Sequence, residues 1–331
     1  MTTEKVCTDC NIIKPLSLFR KQDEWYRNAC KKCTFKHFNE NINSTPKTYL
    51  QHMLKRAMGN SQQRSLLGRT DAGKCSITIE HLLKLHEEQK GLCYYSKIPY
   101  VLTMGVDFQC SLERLDPSKG YVPDNITLVI LELNGVNQWS VEKFDLFKKL
   151  LNRKHDKQNI DFSVPTVRKR TRVRRVQQVK VGDVDCVVCT KCGETKPTSD
   201  FLKTISHGCR VCRARIAQKY NSTPRGHFQQ LIRCMTNSTK NRNDKGRNHD
   251  RCEFTFNKLV DLWEDQGGLC FYSGIPMTFG SYRDKNWTCS AERIDNNKGY
   301  VEGNVCLICH EFNTGHHVQW SKEKVDLIRN M

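Results

Sequence analysis

The chain has 331 residues, enough for two ordinary domains with cores of modest size. Lys plus Arg number 54 against 35 Asp plus Glu, a formal net charge of +19. That balance points to polyanionic partners, because every phosphate contact releases condensed counterions. No apolar run of about 18 residues, secretory core or basic amphipathic helix with a bulky apolar face is visible, so the pattern favours nucleic acid over a membrane.

From the N-terminus, Cys7-x2-Cys10 and Cys30-x2-Cys33 form the first unit of structure, residues 1–40. Two residues between thiolates let a tight knuckle present both sulfurs to one tetrahedral Zn2+. Lys14-Pro15 and Phe19 lie between the pairs, with Phe19 as the expected small core, and Lys31, Lys32 and Lys36 follow as phosphate contacts or a solvated helix face. Eight of the 18 cysteines fall in such pairs that recur in both halves, and the N-terminal stretch Met1-Thr-Thr-Glu-Lys5 is polar overall. Together these features suggest metal sites in a reducing compartment rather than a secreted disulfide framework. The expected location is intracellular: cytoplasm, nucleus, or a viral factory if the chain is viral.

Residues 41–160 follow. Tyr49-Leu50-x2-Met53-Leu54 and Thr78-Ile79-x2-Leu82-Leu83-x-Leu85 have helical spacing and read as amphipathic core helices. Gly91-Leu-Cys-Tyr-Tyr-Ser96 and the stretch Cys110–Asn134 come next. A basic segment, 165–180, carries seven Lys or Arg and no acid, within a linker at 161–183. It reads as a solvated tether, an arm along the phosphate backbone or a nuclear import signal.

The same order then repeats. Cys189, Cys192, Cys209 and Cys212 give a second zinc module at 184–218, with Lys196-Pro197, Phe201, Arg210, Arg213 and Arg215 matching the first. In residues 219–331, Asn221-Ser-Thr-Pro224 repeats Asn43-Ser-Thr-Pro46, and Gly268–Ser273 repeats Gly91–Ser96. Cys289–Asn313 matches Cys110–Asn134 at 13 of 25 positions, and the period is near 180 residues, which indicates domain duplication and not a solenoid.

The segments Ser111-Leu-Glu-Arg-Leu-Asp116, Lys119-Gly-Tyr121, Asn125, Asn134 and their counterparts Glu292-Arg-Ile-Asp295, Lys298-Gly-Tyr300, Asn304, Asn313 resemble the HNH (ββα-metal) endonucleases of phage and giant-virus type. The resemblance implies an α+β fold of two units, each a zinc module, a helical segment and a ββα-metal module. It places Glu113 and Glu292 as hairpin carboxylate ligands for Mg2+ or Mn2+, and Asn134 and Asn313 as ligands on the following helix. Asn125 and Asn304 would brace the loop. Asp116 and Asp295 are further ligands or caps of the turn, and Gly120 and Gly299 suit a turn of positive φ, with Tyr121 and Tyr300 packed behind.

Two departures from the family pattern matter. Arg114 and Arg293 replace the usual His base; a guanidinium cannot take a proton from water, although it can clamp phosphate. The second copy offers His310 as a candidate catalytic group and His317 as a further ligand for the Mg2+ or Mn2+, at helical spacing from Asn313 and so on one expected helix face, where the first has Leu131 and Gln138. That makes the second copy the favoured catalytic module. The second cysteine of each internal pair is Ser96 or Ser273, so no zinc is expected within the nuclease modules.

The function expected is a metal-dependent endonuclease on double-stranded DNA, a monomer acting as a pseudo-dimer. The alternatives are a non-catalytic DNA-binding protein with degenerate modules, and RNA as the polyanion.

Overall fold

A computed structural model describes residues 3–134, 139–163, 176–202, 205–246, 251–313 and 320–331. Gln138, His317, Gln319 and most of the basic segment at 165–180 lie outside the described residues. The chain divides into two compact units, with a boundary between Leu146 and Phe147. Each is mixed α and β with small antiparallel sheets, compatible with an α+β class.

In the first unit, β1 (Glu4–Val6) pairs with β2 (Ile13–Pro15), and β3 (Phe19–Gln22) with β4 (Trp25–Cys30). Cys30 is the N-cap of α1 (Lys31–Ile42), so the second knuckle runs directly into a helix. Thr45 then caps α2 (Pro46–Leu66) in a reciprocal capping box, with Pro46 at the first helical position. That is the structural meaning of the Asn-Ser-Thr-Pro signature: a side-chain acceptor for orphan N–H groups, and a residue that needs no donor there. Helix α3 (Ile79–Glu88) begins at Thr78 in the same manner.

The hairpin β5 (Cys110–Arg114) and β6 (Ile126–Ile130) pairs Glu113 opposite Thr127. Strand β6 is buried along its whole length, and α2 is tied to β5 where the Tyr49 hydroxyl donates to the Cys110 carbonyl at 2.6 Å. Gln89 joins α3 to β6: its amide donates to the Leu92 and Leu128 carbonyls, and its oxygen accepts from Leu128 N at 2.9 Å. Helix α4 (Val141–Leu151) follows the hairpin.

The second unit contains the three-stranded sheet β7 (Gln178–Val181), β8 (Val184–Val188), β9 (Thr195–Pro197), then α5 (Arg210–Asn221) and α6 (Pro224–Asn243). Helix α7 (Phe256–Asp265), the hairpin β10 (Cys289–Arg293) and β11 (Val305–Cys309), and α8 (Lys322–Asn330) complete it. Glu292 faces Cys306 across the hairpin. Phe147 packs on Trp287, Phe312 and Trp320, and Phe162 stacks on Phe228 at 4.7 Å beside Trp263 and Phe279, so both phenylalanines belong to this unit's core.

Neither Gly120 nor Gly299 has a positive φ, contrary to the turn expected from sequence. At Gly120 the reason for glycine is close approach. A Cβ there would meet the Lys74 carbonyl oxygen at 2.0 Å, where Tyr121 N donates to that same oxygen. Among the described residues, no helix is long and apolar enough to cross a membrane.

Candidate functional site

Two four-cysteine groups are present, Cys7, Cys10, Cys30, Cys33 and Cys189, Cys192, Cys209, Cys212, with the sulfurs of each group within 4.8 Å of one another. A tetrahedral ion held at about 2.3 Å from each sulfur needs sulfurs about 3.8 Å apart, so both groups can hold a structural metal such as zinc. Phe19 packs against Cys7 and Cys30, and Phe201 against Cys189, Cys209 and Cys212. Among the described residues these are the only such groups; Cys75, Cys93 and Cys110, with their counterparts Cys252, Cys270 and Cys289, form none.

Electrostatics also favours a cation here. Burial would push the Cys7 and Cys189 thiols up, but backbone N–H donors, chiefly those of Cys30 and Cys209, outweigh it and bring both to about 6. Contact with Cys30, with burial, holds Cys33 up to about 12, and burial followed by contact with Cys209 does the same for Cys212. Sulfurs that crowd one another in this way lose the repulsion when a dication sits among them. Around the first group Lys14 Nζ donates to Cys10 and Cys30 sulfurs at 3.3 and 3.1 Å, whereas Lys196 in the second pairs with Glu194 at 2.8 Å. Lys31 Nζ and Arg210 Nε are engaged by the Ser17 and Ser199 carbonyls, while Lys36 sits 3.8 Å from Glu40.

The second candidate is a cavity of about 230 Å³ in the first unit, between α2 and β5. Glu113 and Asn134 both line it, with Ser111, Arg114 and Tyr121. From α2 come His52, Arg56, Asn60 and Arg64, which are four residues apart and therefore share one helix face. Sequence reasoning treated this helix as core alone. The four-residue polar stripe was the signal available to find them.

The anchoring of the site explains why each residue type is needed. Asn125 is buried; its oxygen accepts from Asp116 N at 2.8 Å, and its amide donates to the Asp116 and Gly120 carbonyls at 3.0 and 2.9 Å. Asn304 does the same for Asp295 N, Asp295 O and Gly299 O. The Asp116 carboxylate caps the turn, accepting from Ser118 N and Oγ at 2.9 and 2.6 Å, and Asp295 accepts from Asn297 N at 2.9 Å. Of the two roles considered for these aspartates, their hydrogen bonds are those of caps.

Arg114 Nη1 donates to the Pro117 and Lys119 carbonyls at 2.7 and 2.8 Å, and Arg293 Nη1 to those of Asn296 and Lys298 at 2.6 and 2.8 Å. At the position of the expected base, the guanidinium is thus a brace of the loop.

Asn134 and Asn313 do not lie on an α-helix. Each ends a short 3-10 turn, at Leu131–Leu133 and His310–Phe312, because its amide is drawn back to the hairpin. Asn134 Nδ2 donates to Ser111 Oγ and Leu112 O at 2.8 and 2.9 Å, and Asn313 Nδ2 to Ser290 Oγ and Ala291 O at 2.9 and 3.0 Å. This bonding leaves each side-chain oxygen as the atom suited to a cation. His310 and Asn313 therefore do not share a helical face, and the helix of the second unit starts later, at its Ser321 cap. His310 stacks on Tyr282 at 4.1 Å and occupies the position of Leu131, a lining residue in the first unit.

Burial raises Glu113 to about 7, against the opposing N–H and charge of Arg114. Glu292 is raised for the same reason, opposed by Arg293 and by Arg242 on α6. His52 Nε2 is buried without a hydrogen-bond partner, and burial with the charges of Arg56 and Lys55 keeps its imidazole neutral at lower pH than usual. No family model, curated protein or solved structure matches the chain.

Proposed function

We propose that the chain is a metal-dependent endonuclease acting on DNA, built from two repeated HNH-type units, each with a four-cysteine zinc module. The observation that carries this reading is the joint lining of one polar cavity by Glu113, Asn134, His52, Arg56 and Arg64. A carboxylate and an amide oxygen, supplemented by water and phosphate oxygens, form the donor set that Mg2+ or Mn2+ takes in phosphoryl chemistry. Glu113 with Asn134, and Glu292 with Asn313, would hold the ion. When bound, such an ion polarises the phosphodiester and stabilises the leaving oxygen.

The chain's own residues supply the rest. Arg56 and Arg64 neutralise phosphate oxygens along α2. His52, neutral and without a partner at Nε2, accepts the proton of the attacking water in the first unit. In the second unit, where Gln230 stands at the position of His52, His310 takes that role. This assignment gives both units a base and removes the main ground for confining activity to the second. Two sites on one chain allow a monomer to act as a pseudo-dimer, and the thiolate groups suit a reducing compartment in cytoplasm or nucleus.

A second reading is a DNA-binding protein without catalysis. It is favoured by Arg114 and Arg293, which stand where a base is expected and are engaged by loop carbonyls. Plasmid nicking with Mg2+, Mn2+ or EDTA, on wild type, Glu113→Ala, Glu292→Ala and the double variant, separates the two. Metal-dependent nicking abolished in the double variant supports the endonuclease; salt-sensitive binding with no nicking under any metal replaces it with the binder.

A further inference from the structure

Helices α2 and α6 are both cationic at three matching positions, Lys47 and Arg225, Lys55 and Arg233, Arg64 and Arg242. Of the three in α2, Arg64 lies on the stripe that lines the first unit's cavity, and it is engaged differently from the loop arginine. Arg64 on α2 and Arg242 on α6 each stand eighteen residues after the proline that opens the helix. The remaining stripe is not shared: His52, Arg56 and Asn60 in the first unit correspond to Gln230, Cys234 and Ser238 in the second. Arg64 lies over the Tyr121 ring at 5.3 Å, and Arg242 over Tyr300 at 5.7 Å. The loop arginine covers the same ring in both, Arg114 at 5.5 Å and Arg293 at 5.6 Å.

Two guanidiniums thus meet at one tyrosine in each unit, but their hydrogen bonding differs. The loop arginine has its donors on carbonyls. The helix arginine has a buried Nη1 without a hydrogen-bond partner, in both units. A buried unsatisfied donor is costly, the more so on a charged group, so its recurrence in two copies whose helix stripes otherwise differ calls for an acceptor from outside the chain. Arg64 and Arg114 also line both the cavity holding Glu113 and a neighbouring one of about 440 Å³, which places them at the junction of the two.

We propose that Arg64 and Arg242 are phosphodiester-binding residues, each holding a backbone phosphate of a nucleic acid beside Glu113 or Glu292. The ligand rests on the function proposed above, but the clamp itself requires no cutting. Two guanidiniums close together form an anion site, and a guanidinium stacked on a ring is pre-oriented to present its planar fork to phosphate.

The test is fluorescence anisotropy of the full, zinc-loaded chain with a labelled DNA duplex, without added Mg2+ or Mn2+ and without chelator, over a salt series. Arg64→Gln with Arg242→Gln is expected to weaken binding uniformly across sequences. It should reduce the slope of log affinity against log salt by about 1.8, or about 0.9 for each lost phosphate contact. Arg64→Lys with Arg242→Lys keeps most of the slope. An unchanged slope in a Gln variant of unchanged melting temperature overturns the proposal.

If the Gln variant does not fold, wild-type protein is modified with the arginine reagent phenylglyoxal and mapped by mass spectrometry. Protection of Arg64 and Arg242 by duplex DNA supports the clamp, and equal modification with and without DNA overturns it. Nicking is scored separately. A reduced slope with no wild-type nicking keeps the clamp and discards the endonuclease; nicking with an unchanged slope does the reverse.

Discussion

The first and second units hold their hairpin loops by the same hydrogen bonds, yet the helix stripe that lines the cavity in the first carries different side chains in the second. Asn125 and Asn304 make matching bonds, as do Arg114 and Arg293, and Asn134 and Asn313. Even the helix anchor is retained by unlike residues: Tyr49 donates to the Cys110 carbonyl, and His227 Nε2 to that of Cys289 at 2.7 Å. The proposed base, by contrast, would come from α2 in one unit, as His52, and from the turn after β11 in the other, as His310. Groups that satisfy buried backbone allow few substitutes, because an unpaired carbonyl or N–H is expensive. Groups that face a wet cavity can move to another element that reaches the same space.

The four-cysteine modules give the largest test of that comparison, and here the units should behave alike. Cys30→Ser or Cys209→Ser should unfold its own small module, because a unit of this size draws most of its folding free energy from the metal, about 10–16 kcal/mol in zinc-finger peptides. Metal analysis of the wild type should find two equivalents per chain, one for each four-cysteine group, falling to one in either variant. Two equivalents retained by either variant would refute that site.

The imidazoles should split the units. In a Glu292→Ala background, His52→Ala should lower residual nicking by about 10²–10⁴-fold, the usual worth of a general base, while His310→Ala should change it little. In a Glu113→Ala background the order should reverse. Equal effects of His52→Ala in both backgrounds would break the assignment.

The loop braces should again behave alike. Asn125→Ala and Asn304→Ala each strand a backbone N–H and carbonyls, so each should destabilise by about 2–4 kcal/mol, from about 1–3 kcal/mol per unsatisfied buried group. Denaturant melts that differ widely between the two would argue against a common loop structure.

The smallest effect concerns protons. Glu113 has its folded pKa raised from an ordinary value of 4.5 to about 7 by burial. The stability this group contributes is therefore full below pH 4.5 and lost as pH rises to about 7. Without divalent metal, the melting temperature of the wild type should fall by a few degrees across that window relative to Glu113→Gln. Added Mg2+ should restore it in wild type only. Identical pH profiles for the two proteins would mean that the carboxyl is solvated.

Much of this protein was legible in its sequence because the signals are local. Paired cysteines two residues apart make a knuckle whatever surrounds them, and both groups assemble. Asn-Ser-Thr-Pro opens α2 and α6 because capping and proline geometry act within one turn. Glu113, Asn125 and Asn134 could be picked out as a set, although only by resemblance.

Tertiary structure decided what depends on neighbours distant in sequence. It placed Arg114 on loop carbonyls, turned Asn134 and Asn313 back to the hairpin instead of along a helix, and justified Gly120 by the passing backbone of Lys74. It also brought the polar face of α2 over β5, so that His52 and Arg64 line the same cavity as Glu113. Helical spacing reports which residues share a face, but what that face meets is set by packing across some 50 to 60 intervening residues.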